Sequence, residues 1–145
     1  MMKTETILND IYDAWRAQDI EWLGSYLPDD FCHTVYVPKD VHPLGGVRCG
    51  KAAVLQRYAI VAQEYDLLHY DTSDLMLRKD RAAVEIPGHY RHKASGLHIE
   101  TTIVNVWTFE DGWPVKLAEY HDIERVQAFT AKLAALKSLS APDIV

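Results

Sequence analysis

Apolar residues recur along this chain at two spacings, and the switch between them separates helices from strands. Ile7, Ile11, Ala14 and Trp15 share one helical face, which fades near Gln18. Ile20, Trp22, Leu23, Tyr26 and Leu27 predict a second, short helix with Asp19 as its N-cap and Pro28 at its stop. Val54, Tyr58, Val61 and Ala62 predict a third over 51–65. Val126, Phe129, Leu133 and Leu136 predict a last one over 123–139. The remaining runs read as strands: 31–37, 66–78, 82–92, 97–109 and 115–122. Turn residues separate the later strands, and a loop with Pro38, Pro43, Gly45 and Gly46 follows the first. In the longest run Ile99, Thr101, Ile103, Asn105, Trp107 and Phe109 share one face, with Thr102, Val104 and Val106 on the other. Both faces are largely apolar, so both should be covered, one by helices and a pocket, the other by a partner subunit. Strands joined by tight hairpins pair antiparallel, and helices gathered on one face of such a sheet make an α+β domain.

Length changes this picture little: 145 residues fit one domain, here 1–145 with its core over 5–128 and a helix and tail over 123–145. Disorder is expected only after Ser138. A net charge of −6 without a Lys/Arg cluster argues against nucleic acid. No apolar run approaches the ~20 residues that span a bilayer, and no secretory signal follows Lys3. Cys32 and Cys49 form no CxxC motif and read as free thiols of a reducing cytoplasm.

Three stretches carry a family resemblance: Ala14-Trp-Arg-Ala-Gln-Asp19, then Gly50-Lys-Ala-Ala-Val54, then Ser95-Gly96 with Asn105-Val-Trp-Thr-Phe-Glu-Asp-Gly112 and Ala118-Glu-Tyr-His-Asp122. In order and spacing they resemble the SnoaL-like, ketosteroid-isomerase-like family of the nuclear transport factor 2 fold. That resemblance implies a cone-shaped, curved antiparallel sheet packed on N-terminal helices around one deep pocket for a small apolar molecule. It implies a homodimer and no cofactor. The fold hosts enzymes and binders alike, so function must come from the site.

The resemblance places Thr101, Ile103, Asn105 and Trp107 inward on the long strand, with Leu117, Glu119 and His121 on the next. It places Ile86, Gly88, Tyr90 and His92 inward on the preceding strand, and His33 and Val35 on the first. Trp15 and Tyr58 would add aromatic walls. Asn105 falls where steroid isomerases hold a protonated Asp, and Glu119 where limonene epoxide hydrolases hold an acid that activates water. Other positions depart from these enzymes. The isomerases' base falls on Val35 and their oxyanion-hole Tyr on Ile11, with Tyr12 one position off. The hydrolases' Arg and Asp fall near Ile86 and Gly88.

Enolisation needs a base beside a C–H and donors aimed at the developing oxyanion. Glu119 and His121, two apart on one strand, share a face and suit an acid/base pair, and Asn105 suits carbonyl polarisation. Burial would raise the Glu119 carboxyl toward a useful base. The plainer reading makes Glu119 an ion-pair or interface residue and His121 a hydrogen-bonded core histidine. A three-residue final turn would set Thr101 opposite His121 and Ile103 opposite Glu119. A slip of one residue would instead turn Tyr120 and Asp122 inward. His89, His92 and His98 do not share a face at ligand spacing, so no metal is expected. The expectation is therefore an isomerase, dehydratase or cyclase acting on a small carbonyl compound, or else a non-catalytic binding or interaction domain.

Overall fold

The computed structural model describes residues 2–140. Helix α1 (Met2–Arg16) and short α2 (Ile20–Gly24) lead into strand β1 (Cys32–Tyr36) and strand β2 (Gly46–Cys49). Helix α3 (Lys51–Glu64) follows, then β3 (Tyr65–Tyr70), β4 (Asp74–Arg78), β5 (Arg81–His92), β6 (His98–Glu110), β7 (Trp113–His121) and helix α4 (Ile123–Ser140). The tail expected to be disordered falls largely on 141–145, outside the described residues.

Local chemistry explains the boundaries. The Asp19 side chain accepts from the Trp22 backbone N–H at 3.0 Å, so it caps α2 as expected. The run over 66–78 is two strands rather than one. At the break, Asp71 Oδ1 accepts from the Ser73 N–H at 2.9 Å, a local bond that diverts the chain from the ladder. Strand β2 was expected to be loop, being four residues long and opened by Gly46 at φ 97°.

The seven strands form one curved, unclosed sheet in the order β2-β1-β7-β6-β5-β3, with β4 also paired to β5. All pairings are antiparallel except one. Strand β1 lies parallel to β7, with His33 beside Leu117 and Val35 beside Glu119. Hairpin logic does not reach that pair, because a parallel neighbour requires a long crossover.

The expected β6–β7 register is off by two residues, with the inward face preserved. The turn holds two residues, Asp111 (φ 51°) and Gly112 (φ 83°), and pairs Glu110 with Trp113. A bulge between Thr108 and Phe109 then adds a second step. Ile103 consequently faces His121, and Asn105 faces Glu119 directly.

Helices α1 to α3 cover the concave face. Leu8, Ile11, Ala14, Phe31, Val54, Val84, Ile86, Ile103, Trp107 and Leu117 form one buried core beneath them. No helix among the described residues is long and apolar enough to cross a membrane.

The two cysteines are not free. Cys32 and Cys49 sit opposite each other across β1 and β2, with Cα atoms 4.1 Å apart, and are joined by a disulfide. The expectation of thiols failed because it took 46–49 for loop, where no pairing would bring them together. The cytoplasmic expectation leaned in part on those thiols, and that part of the argument falls.

Candidate functional site

A cavity of about 170 Å³ opens between the concave sheet and the helices. Its walls are aromatic: Trp15, Tyr58, Tyr65, Tyr70, Tyr90 and Trp107. Val126 and Phe129 of α4 close one side, and His42, Leu44 and Gly45 of the β1–β2 connection close another. Gly45 is required there, because a Cβ would stand 1.9 Å from the Val37 carbonyl oxygen. An apolar void of ~150 Å³ takes a benzene ring, so this cavity suits a one-ring molecule rather than a fused polycycle.

Two polar networks reach the cavity. The first runs along β1 and β7. The Glu119 carboxylate takes a hydrogen bond from each side, from His33 Nε2 to Oε1 at 2.9 Å and from His121 Nε2 to Oε2 at 2.6 Å. The parallel β1–β7 pairing makes the first contact; the two-residue strand repeat makes the second. Behind His33, and buried with it, lies Arg57 of α3. Its Nη1 reaches His33 Nδ1 at 3.2 Å and donates to the His33 carbonyl oxygen at 3.2 Å, while Nη2 donates to the Gly46 carbonyl at 3.0 Å.

Burial by itself would raise the Glu119 carboxyl. The hydrogen bonds from His121 and His33 outweigh it and hold the group well below the usual carboxylate range. This reverses the expectation of a raised, basic carboxyl. Glu119 is thus an anion held between two imidazoles. Because folding lowers the carboxyl from its ordinary 4.5, its ionisation contributes stability above that pH and loses it as pH falls further. The urea midpoint of the wild type should therefore drop below about pH 4.5, and Glu119→Gln should flatten that drop. Equal acid slopes for the two proteins would contradict the assignment.

The second network joins α1 to β6. Asn105 Nδ2 and Trp107 Nε1 donate to the Tyr12 hydroxyl oxygen at 2.9 and 2.8 Å. These fill the phenol's acceptor positions, and the buried Asn105 Oδ1 has no partner. A half-turn of the amide would let Tyr12 donate to Oδ1 and would free Nδ2 instead. In either orientation one donor is left for a guest, the Tyr12 O–H or the Asn105 N–H. Burial, foremost, pushes the phenols of Tyr12, Tyr58, Tyr70 and Tyr90 up, and the Glu119 charge adds to it; burial pushes Tyr65 up to about 12. They remain protonated donors at neutral pH. Thr101 Oγ1 is a further buried polar atom without a partner on the cavity wall. Burial likewise lowers His42, whose Nδ1 accepts from the Leu44 N–H at 3.1 Å.

Most residues singled out from sequence meet here. Glu119, His121, Asn105, Trp15, His33, Val35, Tyr58, Tyr90, Thr101, Ile103, Trp107 and Leu117 all line the cavity. Ile86 does not; it is buried in the core, with 0 % exposure. His92 does not either. It bonds Ser95 in the β5–β6 turn at 2.8 Å and packs on Tyr65. The alternative pair, Tyr120 and Asp122, is exposed on the opposite side, where Tyr120 stacks on Tyr36 with centroids 4.6 Å apart. His89 and His98 meet on the outer face at 2.7 Å, and no group of three metal ligands forms among the described residues. Sequence reasoning missed Arg57, although it sits beside Tyr58 and three residues after Val54, a cation inside an apolar stripe.

Among curated proteins none matches this chain. Solved structures do. A candidate isomerase from Rhodopseudomonas palustris shares 24% identity at a TM-score of 0.73, covering 83% of this chain and 91% of that one. A protein of nuclear transport factor 2-like fold from Burkholderia xenovorans shares 18% at 0.78, covering 90% and 97%. A candidate polyketide cyclase from Xanthomonas campestris shares 14% at 0.73, covering 89% and 97%. At these identities the likeness establishes the fold. The family model of the SnoaL-like domain matches residues 8–120, most of the chain and nearly every cavity-lining residue, and on that ground the protein belongs to the SnoaL-like domain family.

Proposed function

We propose that this protein is a cofactor-independent enzyme that moves a proton next to the carbonyl of a small, one-ring substrate, in the isomerase, dehydratase or cyclase class. The observation that carries the reading is the Glu119–His121 contact of 2.6 Å on the wall of an apolar cavity. With His121 Nε2–H given to the carboxylate, its Nδ1 is the nitrogen available to take a substrate proton. The imidazolium so formed is stabilised by the anion it already touches. The electrons released from the C–H bond collect on the substrate oxygen, where the Tyr12–Asn105 pair supplies a donor. Returning the proton from His121 to another atom completes an isomerisation; giving it to a departing β-hydroxyl, which leaves as water while the C=C bond forms, completes a dehydration.

The test is deuterium exchange at the α-carbon of cyclic ketones and enones in D₂O, followed by NMR. Exchange well above the buffer rate supports the reading, and exchange at the buffer rate across a panel of one-ring compounds defeats it. A non-catalytic binding domain is the competing reading, favoured by the closure of the aromatic walls. It requires tight ligand binding that Glu119→Gln leaves intact and Trp107→Ala or Trp15→Ala abolishes, with no exchange at all. We also propose a homodimer through the outer sheet face, where Tyr36 and Tyr120 are 48% and 43% exposed. Sedimentation velocity should give the mass of two chains, and a strictly monomeric protein at tens of micromolar would contradict it.

A further inference from the structure

The buried cation behind the site has a specific consequence for proton placement. A guanidinium has donors only. Its contact with His33 Nδ1 at 3.2 Å is therefore a bond only if that nitrogen carries a lone pair. The single ring proton then resides on Nε2, the nitrogen that faces Glu119 Oε1 at 2.9 Å. The groups around this ring come from three elements. Arg57 and Tyr58 approach from α3, the Tyr58 ring at 5.2 Å. Glu119 approaches from β7, with His121 beyond it, and Arg48 is the register partner from β2. Among the described residues no carboxylate pairs directly with Arg57, and its Nε is unpartnered. The Glu119 charge acts on it across the imidazole.

We infer that Arg57 is a positioning residue that fixes His33 as the neutral Nε2–H tautomer, so that Glu119 receives one neutral donor from His33 and keeps its charge for His121. Donors thus converge on Glu119 from both sides, Arg57 through His33 on one and His121 on the other, with the movable proton at the His121 end. Were Nδ1 of His33 protonated, it would oppose the guanidinium. A doubly protonated His33 would also compete with His121 for the same carboxylate. The final step, from an ordered Glu119 to a competent His121, rests on the proposed acid/base function. The tautomer itself does not.

The experiment is ¹⁵N–¹H correlation NMR of the histidine rings in the intact protein near pH 7.5, with His33 assigned by its loss in His33→Gln. In the wild type, Nδ1 of His33 is expected to show the unprotonated resonance and Nε2 the protonated one. A protonated Nδ1 would overturn the inference without any variant. In Arg57→Met the single-tautomer pattern is expected to be lost as Nδ1 gains proton occupancy, and Arg57→Lys, which keeps a donor and the charge, is expected to restore it. An unchanged His33 spectrum in a folded Arg57→Met protein would also overturn it, since Glu119 alone would then set the tautomer. Should Arg57→Met fail to fold, Glu119→Gln decides: an Nε2–H tautomer kept there is the expected result, and one lost there overturns the inference, since Glu119 and not Arg57 would then set it. A correct tautomer in a protein without α-proton exchange leaves this inference standing and removes the catalytic reading alone.

Discussion

His121→Ala is expected to slow α-proton exchange by about 10²- to 10⁴-fold, the usual contribution of a positioned general base. The side chain reaches the cavity wall from the last residue of β7, where its removal breaks no backbone pairing. It leaves Glu119 bonded to His33 alone. Two readouts separate lost chemistry from lost structure. Binding of a ketone that has no α-hydrogen, followed by quenching of the cavity tryptophans, should weaken far less than turnover falls. Added imidazole should restore part of the exchange, because the vacated space can hold the missing ring. A variant within threefold of wild type, or one that imidazole leaves unchanged while binding collapses, would show that His121 supports the site without acting in it.

The second large effect concerns the disulfide. The bridge spans 17 residues, and closing a loop of that size stabilises the fold by about 3 kcal/mol in the chain-entropy view. Reduction, or the double substitution Cys32→Ser with Cys49→Ser, should therefore lower Tm by roughly 6–12 °C in a domain of this size. Strand β2 is the sheet's edge, and four register pairs to β1 are its only ladder among the described residues. Its Gly46 carbonyl is also where Arg57 Nη2 is anchored. Loosening β2 should therefore disturb the His33 ring as well as the melting curve. Identical Tm values with and without reductant, together with two titratable thiols in the unreduced, unfolded protein, would refute the pairing.

What the sequence disclosed follows the range of the interactions involved. Strand alternation is local, so the inward face of β6, from Ile99 to Phe109, was legible and stands. The helical stripes of α1 and α3 were legible for the same reason. The β6–β7 register was not, because it depends on a turn length and a bulge that leave no trace in alternation. Two shifts of one residue happened to preserve the face, and so Glu119 and His121 still point inward while their partners across the strand differ. The parallel β1–β7 pair carries the His33–Glu119 bond, between residues 86 apart, and no periodicity reports it. With it went the His33–Glu119 bond, the role of Arg57 and, through β2, the disulfide. A single charged residue inside the apolar stripe of α3 was the one available hint.

The β1–β7 seam also bears on how the chain is made. His33 leaves the ribosome long before Glu119 does, and Arg57 long before either can be paired through that carboxylate. Until β7 has been synthesised and has added itself beside β1, the nascent chain holds a guanidinium destined for the interior with no anion to offset it. Burying such a charge alone is costly, so the early portion of the chain cannot settle into its final packing prematurely. The same strand that brings the anion also completes the sheet, and a polypeptide halted before Glu119 is therefore a loosely packed target for proteolysis rather than a smaller working protein.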